Sequence, residues 1–66
     1  MEVEGLVIEK LPNLFYRVEI EGKEYICYLA GRMRLNHISV MVGDKVRVVL
    51  DPHKGKTTNR ITYRLQ

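Results

Sequence analysis

From Phe15 to Glu21 the chain alternates without a break: Tyr16, Val18 and Ile20 point one way, Phe15, Arg17 and Glu19 the other. A period of two marks a strand with one face buried and one face wet. Glu21-Gly22-Lys23 then reads as a tight hairpin turn, and Glu24 to Ala30 returns as a strand that is apolar on both faces. If Cys27 and Leu29 point inward, Ile26 and Tyr28 share the outer face with Phe15 and Arg17. The whole chain has 66 residues and one cysteine, so no intramolecular disulfide staples it. A body of this size buries roughly 60 % of its unfolded surface and has one thin core.

The remaining segments follow the same logic. Met1 to Leu11 is rich in valine and isoleucine and is interrupted at Gly5, as a bulge or a barrel corner would be. Leu11-Pro12-Asn13 makes a turn. Gly31 to Val42 breaks the strand pattern. Met33, Ile38 and Met41 lie near helical spacing there, which predicts one short helical turn in an irregular insert. Gly43-Asp44 is a turn, and Lys45 to Leu50 resumes alternation with Val46, Val48 and Leu50 inward. Asp51 to Thr58 is polar, holds Pro52 and Gly55, and reads as a loop. From Asn59 to Leu65 the alternation puts Ile61, Tyr63 and Leu65 inward and Arg60, Thr62 and Arg64 outward. A five-stranded sheet this small cannot leave two long edges unpaired, which favours closure into a barrel. The fold class is therefore all-β: one five-stranded OB-fold barrel over residues 1–66, with a short helical turn between strands 3 and 4. An SH3-like barrel is the structural competitor.

Several function classes fall away. No run of 18 apolar residues exists to span a membrane. Three glutamates in the first ten residues fit neither a secretory signal nor a transit peptide, so a cytoplasmic protein is expected. Cys27 sits between same-face neighbours Tyr25 and Leu29, as a small core filler does. Ser39 is the only serine and has no glycine elbow around it. Cys27, His37 and His53 lack the short pair spacing of a zinc site. The five glycines are scattered singly, which leaves no phosphate-cradling loop. Neither enzymatic activity nor a cofactor or metal is expected.

Charge points to a partner. Residues 1–24 hold Lys10, Arg17 and Lys23 against six glutamates, a balance of −3, whereas residues 25–66 hold eight basic side chains against Asp44 and Asp51, a balance of +6. A small domain polarised in this way is expected to offer a positive side to a phosphate backbone. Its candidate contacts form three groups. On the outer face of the second and third strands, Phe15, Arg17 and Tyr28 make an aromatic–basic surface suited to stacking unpaired bases; the alternative is that the insert covers both rings as a satellite core. In the insert, Arg32 and Arg34 flank Met33 and are followed by Asn36 and His37. With Met33 anchored inward, both arginines project outward with planar donors. Near the carboxyl end, Lys54 and Lys56 lie in a polar loop, and Arg60 and Arg64 extend the basic surface along one strand face. Arg47 is expected to be solvated.

In order, these segments resemble the bacterial translation initiation factor one family, a single S1-type OB domain. The resemblance runs nearly end to end, through Val3-Glu4-Gly5, Leu11-Pro12-Asn13, Arg17-Val18-Glu19-Ile20, Gly31-Arg32-Met33-Arg34 with Asn36, Gly43-Asp44-Lys45-Val46 and Arg60-Ile61-Thr62-Tyr63-Arg64. It implies a monomeric factor that binds the aminoacyl site of the small ribosomal subunit. There it would meet decoding-site ribosomal RNA and an adjacent ribosomal protein, and act with other initiation factors in selecting the initiator tRNA. Carried over, the RNA contacts fall on Arg32, Arg34, Asn36, Lys54, Lys56, Arg60 and Arg64. Leu35 and Ser39 stand where members usually carry basic residues, and Tyr28 where many carry histidine. Each lost phosphate contact flattens the salt slope of binding by about 0.7–0.9. Two other readings share these features: a free-standing S1-type RNA-binding or RNA-chaperone domain, and a protein-interaction module whose basic face meets an acidic protein.

Overall fold

In the computed structural model, residues 2–35, 39–50 and 59–65 are described, Arg32 and Arg34 by their backbone. Five strands occur among them: β1 (Glu2–Lys10), β2 (Phe15–Ile20), β3 (Lys23–Leu29), β4 (Lys45–Val49) and β5 (Asn59–Arg64). They close into a barrel in the order β1-β2-β3-β5-β4, as expected for an OB-fold. All neighbours are antiparallel except β3 and β5, which run parallel and complete the closure.

The hairpin is built as the alternation predicts. Ile20 pairs with Lys23, leaving Glu21 and Gly22 as a two-residue loop with φ of 50° and 81°. Positive φ at both central positions is what a type I′ turn needs, and its twist matches that of the strands. The turn before β2 reaches one residue further than the sequence suggests. Pro12–Leu14 forms a single 3-10 turn, in which Asn13 and Leu14 both take the left-handed region, at φ 61° and 62°.

β1 serves two partners. Its first half pairs with β4, from Glu2 opposite Val49 to Leu6 opposite Lys45; its second half pairs with β2. The bulge lies at Ile8, between the Val7–Val18 and Glu9–Arg17 pairs, and not at Gly5. Gly5 is the corner: a Cβ there would stand 2.5 Å from Val18 Cγ1 and 2.8 Å from Ile20 Cγ1. Only a residue without a side chain lets β1 cross β2 at that separation.

Each strand supplies the core: Val7, Tyr16, Val18 and Ile20, Cys27 and Leu29, Val46 and Val48, and Ile61. The insert contributes the rest. The five-residue helix α1 (Gly31–Leu35) buries Met33, and Val40 follows it into the same cluster. Helical spacing does not extend to Met41, which is 69 % exposed. The chain has already entered the turn toward β4 there, and Val40 is the residue it buries; Ile38 lies outside the described residues. Met41-Val42-Gly43-Asp44 closes as a turn, with the Asp44 N–H donating to the Met41 carbonyl at 3.0 Å and Gly43 at φ 97°. β1 holds that turn through Val7 N–H to Asp44 O at 3.0 Å and Gly43 N–H to Val7 O at 2.8 Å.

β5 departs from its sequence pattern. Arg47 lies opposite Tyr63 but Val48 opposite Ile61, so Thr62 is an extra residue in β5. A bulge reverses side-chain parity beyond it. Tyr63, expected inward, is therefore 55 % exposed, and Thr62, expected outward, is buried at 9 %. Arg64 now pairs with Val46 on the inward face, at the end of the barrel.

Candidate nucleic-acid interface

Cross-strand register decides which candidates meet. Phe15 lies opposite Tyr28 in the β2–β3 pair, and Tyr28 lies beside Arg60 in the parallel β3–β5 pair. All three side chains are on the outer face, because Tyr16, Cys27 and Ile61, next to them in the chain, are buried inward. The Phe15 and Tyr28 rings stand edge to face, with centroids 6.4 Å apart at 69°. Both rings are half-buried and neither belongs to the core cluster. Arg60 is exposed, and among the described residues no carboxylate lies within ion-pair distance of it. Two aromatic rings beside a guanidinium unpaired among the described residues form a platform on which a base can stack while its phosphate is neutralised.

Arg17 is on the same face but is already engaged. Its Nε lies 3.2 Å from Glu9 Oε1 and its Nη1 donates to Glu24 Oε1 at 3.3 Å. The Glu9 contact is ionic and not a hydrogen bond, which leaves the buried Nε–H without a hydrogen-bond partner. Glu24 also lies directly opposite Glu19, so two like charges meet across the β2–β3 pair. Arg64 is not on this face. The Thr62 bulge sends it to the barrel end, where Nη1 donates to the Ser39 carbonyl at 3.2 Å and Nε lies 3.8 Å from Asp44 Oδ2. The single basic strand face expected for Arg60 and Arg64 is thus split in two by one extra residue.

The same bulge makes a pair that alternation could not reveal. Arg47, expected to be solvated, places its guanidinium 5.9 Å from the Tyr63 ring centroid, with Glu2 Oε1 3.9 Å from its Nε. The Thr62 hydroxyl donates to the Arg47 carbonyl at 3.4 Å, which ties the bulge across to β4.

The backbone of Arg32 and Arg34 lies on α1, on either side of buried Met33. The helix is attached where β3 ends: the Ala30 N–H donates to Ile61 O at 2.9 Å, and the Met33 N–H to Ala30 O at 3.0 Å. Asn36, His37, Lys54 and Lys56 lie outside the described residues. Burial pushes the Cys27 thiol up to about 12, which keeps it protonated and unreactive at neutral pH. No group of three potential metal ligands comes together among those residues, and no helix is long and apolar enough to cross a membrane.

Comparison with known proteins fits this geometry. Residues 1–66 match the family described as eIF-1a: Translation initiation factor 1A / IF-1. The solution structure of translation initiation factor one from the Wolbachia endosymbiont (strain TRS) of Brugia malayi superposes with a TM-score of 0.81 at 34 % identity, covering 100 % of this chain and 78 % of that one. The crystal structure of YjeQ from Thermotoga maritima superposes with a TM-score of 0.82 at 28 % identity over 100 % of this chain, which spans 23 % of the YjeQ chain.

Proposed function

The chain belongs to the translation initiation factor 1A / IF-1 family, and on that premise we propose that it binds the aminoacyl (decoding) site of the small ribosomal subunit. There, with the other initiation factors, it promotes selection of the initiator tRNA. It does so as a cytoplasmic monomer that catalyses nothing and carries no cofactor. The observation that carries the reading is the Phe15–Tyr28 pair with Arg60 beside it on the outer face. Decoding-site RNA offers unstacked adenines to such rings and phosphates to such a guanidinium. Arg32, Arg34, Asn36 and His37 in the insert approach the same RNA, as do Lys54 and Lys56 ahead of β5. An adjacent ribosomal protein completes the site.

The test is chemical protection of decoding-helix adenines in purified small subunits at physiological salt. Protection is expected with the wild-type chain. Replacing Arg32 and Arg34 together by alanine weakens binding at least about tenfold, or roughly 1.4 kcal/mol. No protection at saturating protein refutes the assignment to the aminoacyl site. The half-buried rings on the outer face also favour a second reading, a free-standing S1-type RNA-binding or RNA-chaperone domain. In that case a short unstructured RNA competes with subunits at equal strength.

A further inference from the structure

The bulge at Thr62 does more than expose a tyrosine. It points Arg64 across the barrel end at the segment that joins the insert to β4. That segment is held at two places. The turn Met41–Asp44 is fixed to β1 through Val7. Ahead of the turn, Val40 is buried in the core while Ser39 and Met41 on either side are exposed. Among the described residues, the Arg64 side chain reaches this stretch from β5. Its Nη1 donates to the Ser39 carbonyl, and its Nε faces Asp44 Oδ2, which itself accepts from the Met41 N–H at 2.8 Å. One guanidinium and one carboxylate thus engage the backbone at Ser39 and Met41, on both sides of the buried Val40.

We propose that Arg64 is a positioning residue: with Asp44 it clasps residues 39–44 and so sets the attitude of the insert that carries Arg32 and Arg34, without itself contacting RNA. The proposal rests on the RNA-binding reading for its consequence, although the clasp belongs to the free protein. Both partners are accessible enough to be replaced safely, the Arg64 side chain being 48 % exposed and that of Asp44 20 %. A phosphate contact and a clasp differ in the sign of one variant. If Arg64 met a phosphate, Asp44→Asn would remove a nearby negative charge and tighten RNA binding. If Arg64 works through Asp44, the same change loosens the insert and weakens it.

The experiment has two arms. In the free protein, Arg64→Ala accelerates amide exchange at Met41 about threefold or more while Val18 and Ile61 keep their protection. Unchanged exchange at Met41 overturns the clasp. For binding to small subunits, Arg64→Ala and Asp44→Asn each weaken affinity by about fivefold, within the range of a part-exposed charged pair. The double variant is no worse than either alone, and the salt slope stays at the wild-type value. A slope lower by about 0.7–0.9 in Arg64→Ala, with tighter binding by Asp44→Asn, shows a direct phosphate contact and overturns the proposal. A wild-type chain that fails to bind subunits refutes the decoding-site reading alone. The clasp is then decided by the exchange arm.

Discussion

Gly5→Ala tests the closure of the barrel most directly. The backbone of Gly5 lies outside the left-handed region, so alanine can adopt its dihedral angles, and any penalty is steric. An added Cβ would meet Val18 Cγ1 at 2.5 Å, Ile20 Cγ1 at 2.8 Å and the Glu19 carbonyl oxygen at 3.1 Å. Ordinary carbon contacts are about 3.5–4.0 Å, so Val18 and Ile20 must each retreat by roughly an ångström. Neither has room, with Val18 0 % and Ile20 4 % exposed. Overpacking of this kind costs about 1–3 kcal/mol, against a gain of about 0.4–1 kcal/mol from the stiffer unfolded chain. A net loss of about 1–2 kcal/mol is large in a 66-residue chain, whose total stability is about 3–10 kcal/mol. Urea unfolding followed by circular dichroism reads it as a lower midpoint at unchanged slope. Adding Val18→Ala removes the nearest clash, so the double variant is less destabilised than the two single losses predict. A Gly5→Ala midpoint equal to or above wild type would refute the close approach of β1 to β2.

Three further outcomes follow from other parts of the molecule. Phe15→Ala with Tyr28→Ala weakens binding of single-stranded RNA by about 1–3 kcal/mol per lost stacking contact and leaves the salt slope unchanged, measured by fluorescence anisotropy across a salt series. Because Glu19 lies opposite Glu24 on an exposed face, Glu19→Lys raises stability by about 0.2–1 kcal/mol, seen as a higher urea midpoint. The Cys27 thiol ionises near 9.0 when unfolded and about 12 when folded. The folded state thus holds its proton more tightly; stability from this group is complete below pH 9 and is lost as pH rises from there toward 12. Cys27→Ala shows a shallower fall over that window, and equal slopes would count against the burial of the thiol.

Local signals carried most of the barrel. The alternation of β2 and β4 and the Glu21-Gly22 turn depend on near neighbours, and each is present as its residues suggest. The bulges are different. Nothing in Asn59 to Leu65 shows that two of its residues face one on β4, because that depends on how the returning strand meets a partner some 15 positions away. An uninterrupted alternation therefore mispredicts Thr62 and Tyr63, and with them the side of the barrel on which Arg64 lies. Gly5 was legible as an irregularity, but its kind was not. A corner is set by the distance to Val18 and Ile20, which belong to the next strand.

The charge count also changes meaning once strands are paired. By sequence, the acidic first third and the basic remainder suggest two opposed faces. In the barrel, β1 lies between β2 and β4, so its glutamates stand against arginines of both strands. Glu9 meets Arg17, and Glu2 meets Arg47. Arg64 meets Asp44 within the basic part itself. Of the four arginines whose side chains are described, Arg60 alone has no carboxylate within 4.0 Å among the described residues. Exposed pairs of this sort add little stability, but each one lowers the field available to a phosphate. Among the described side chains of the basic half, Lys45 and Arg60 are therefore the cations with no carboxylate within 4.0 Å. If the chain binds RNA as proposed, Arg47 and Arg64, paired to carboxylates, add little to the salt slope, which is expected to fall below what eight basic residues would produce if all met phosphate.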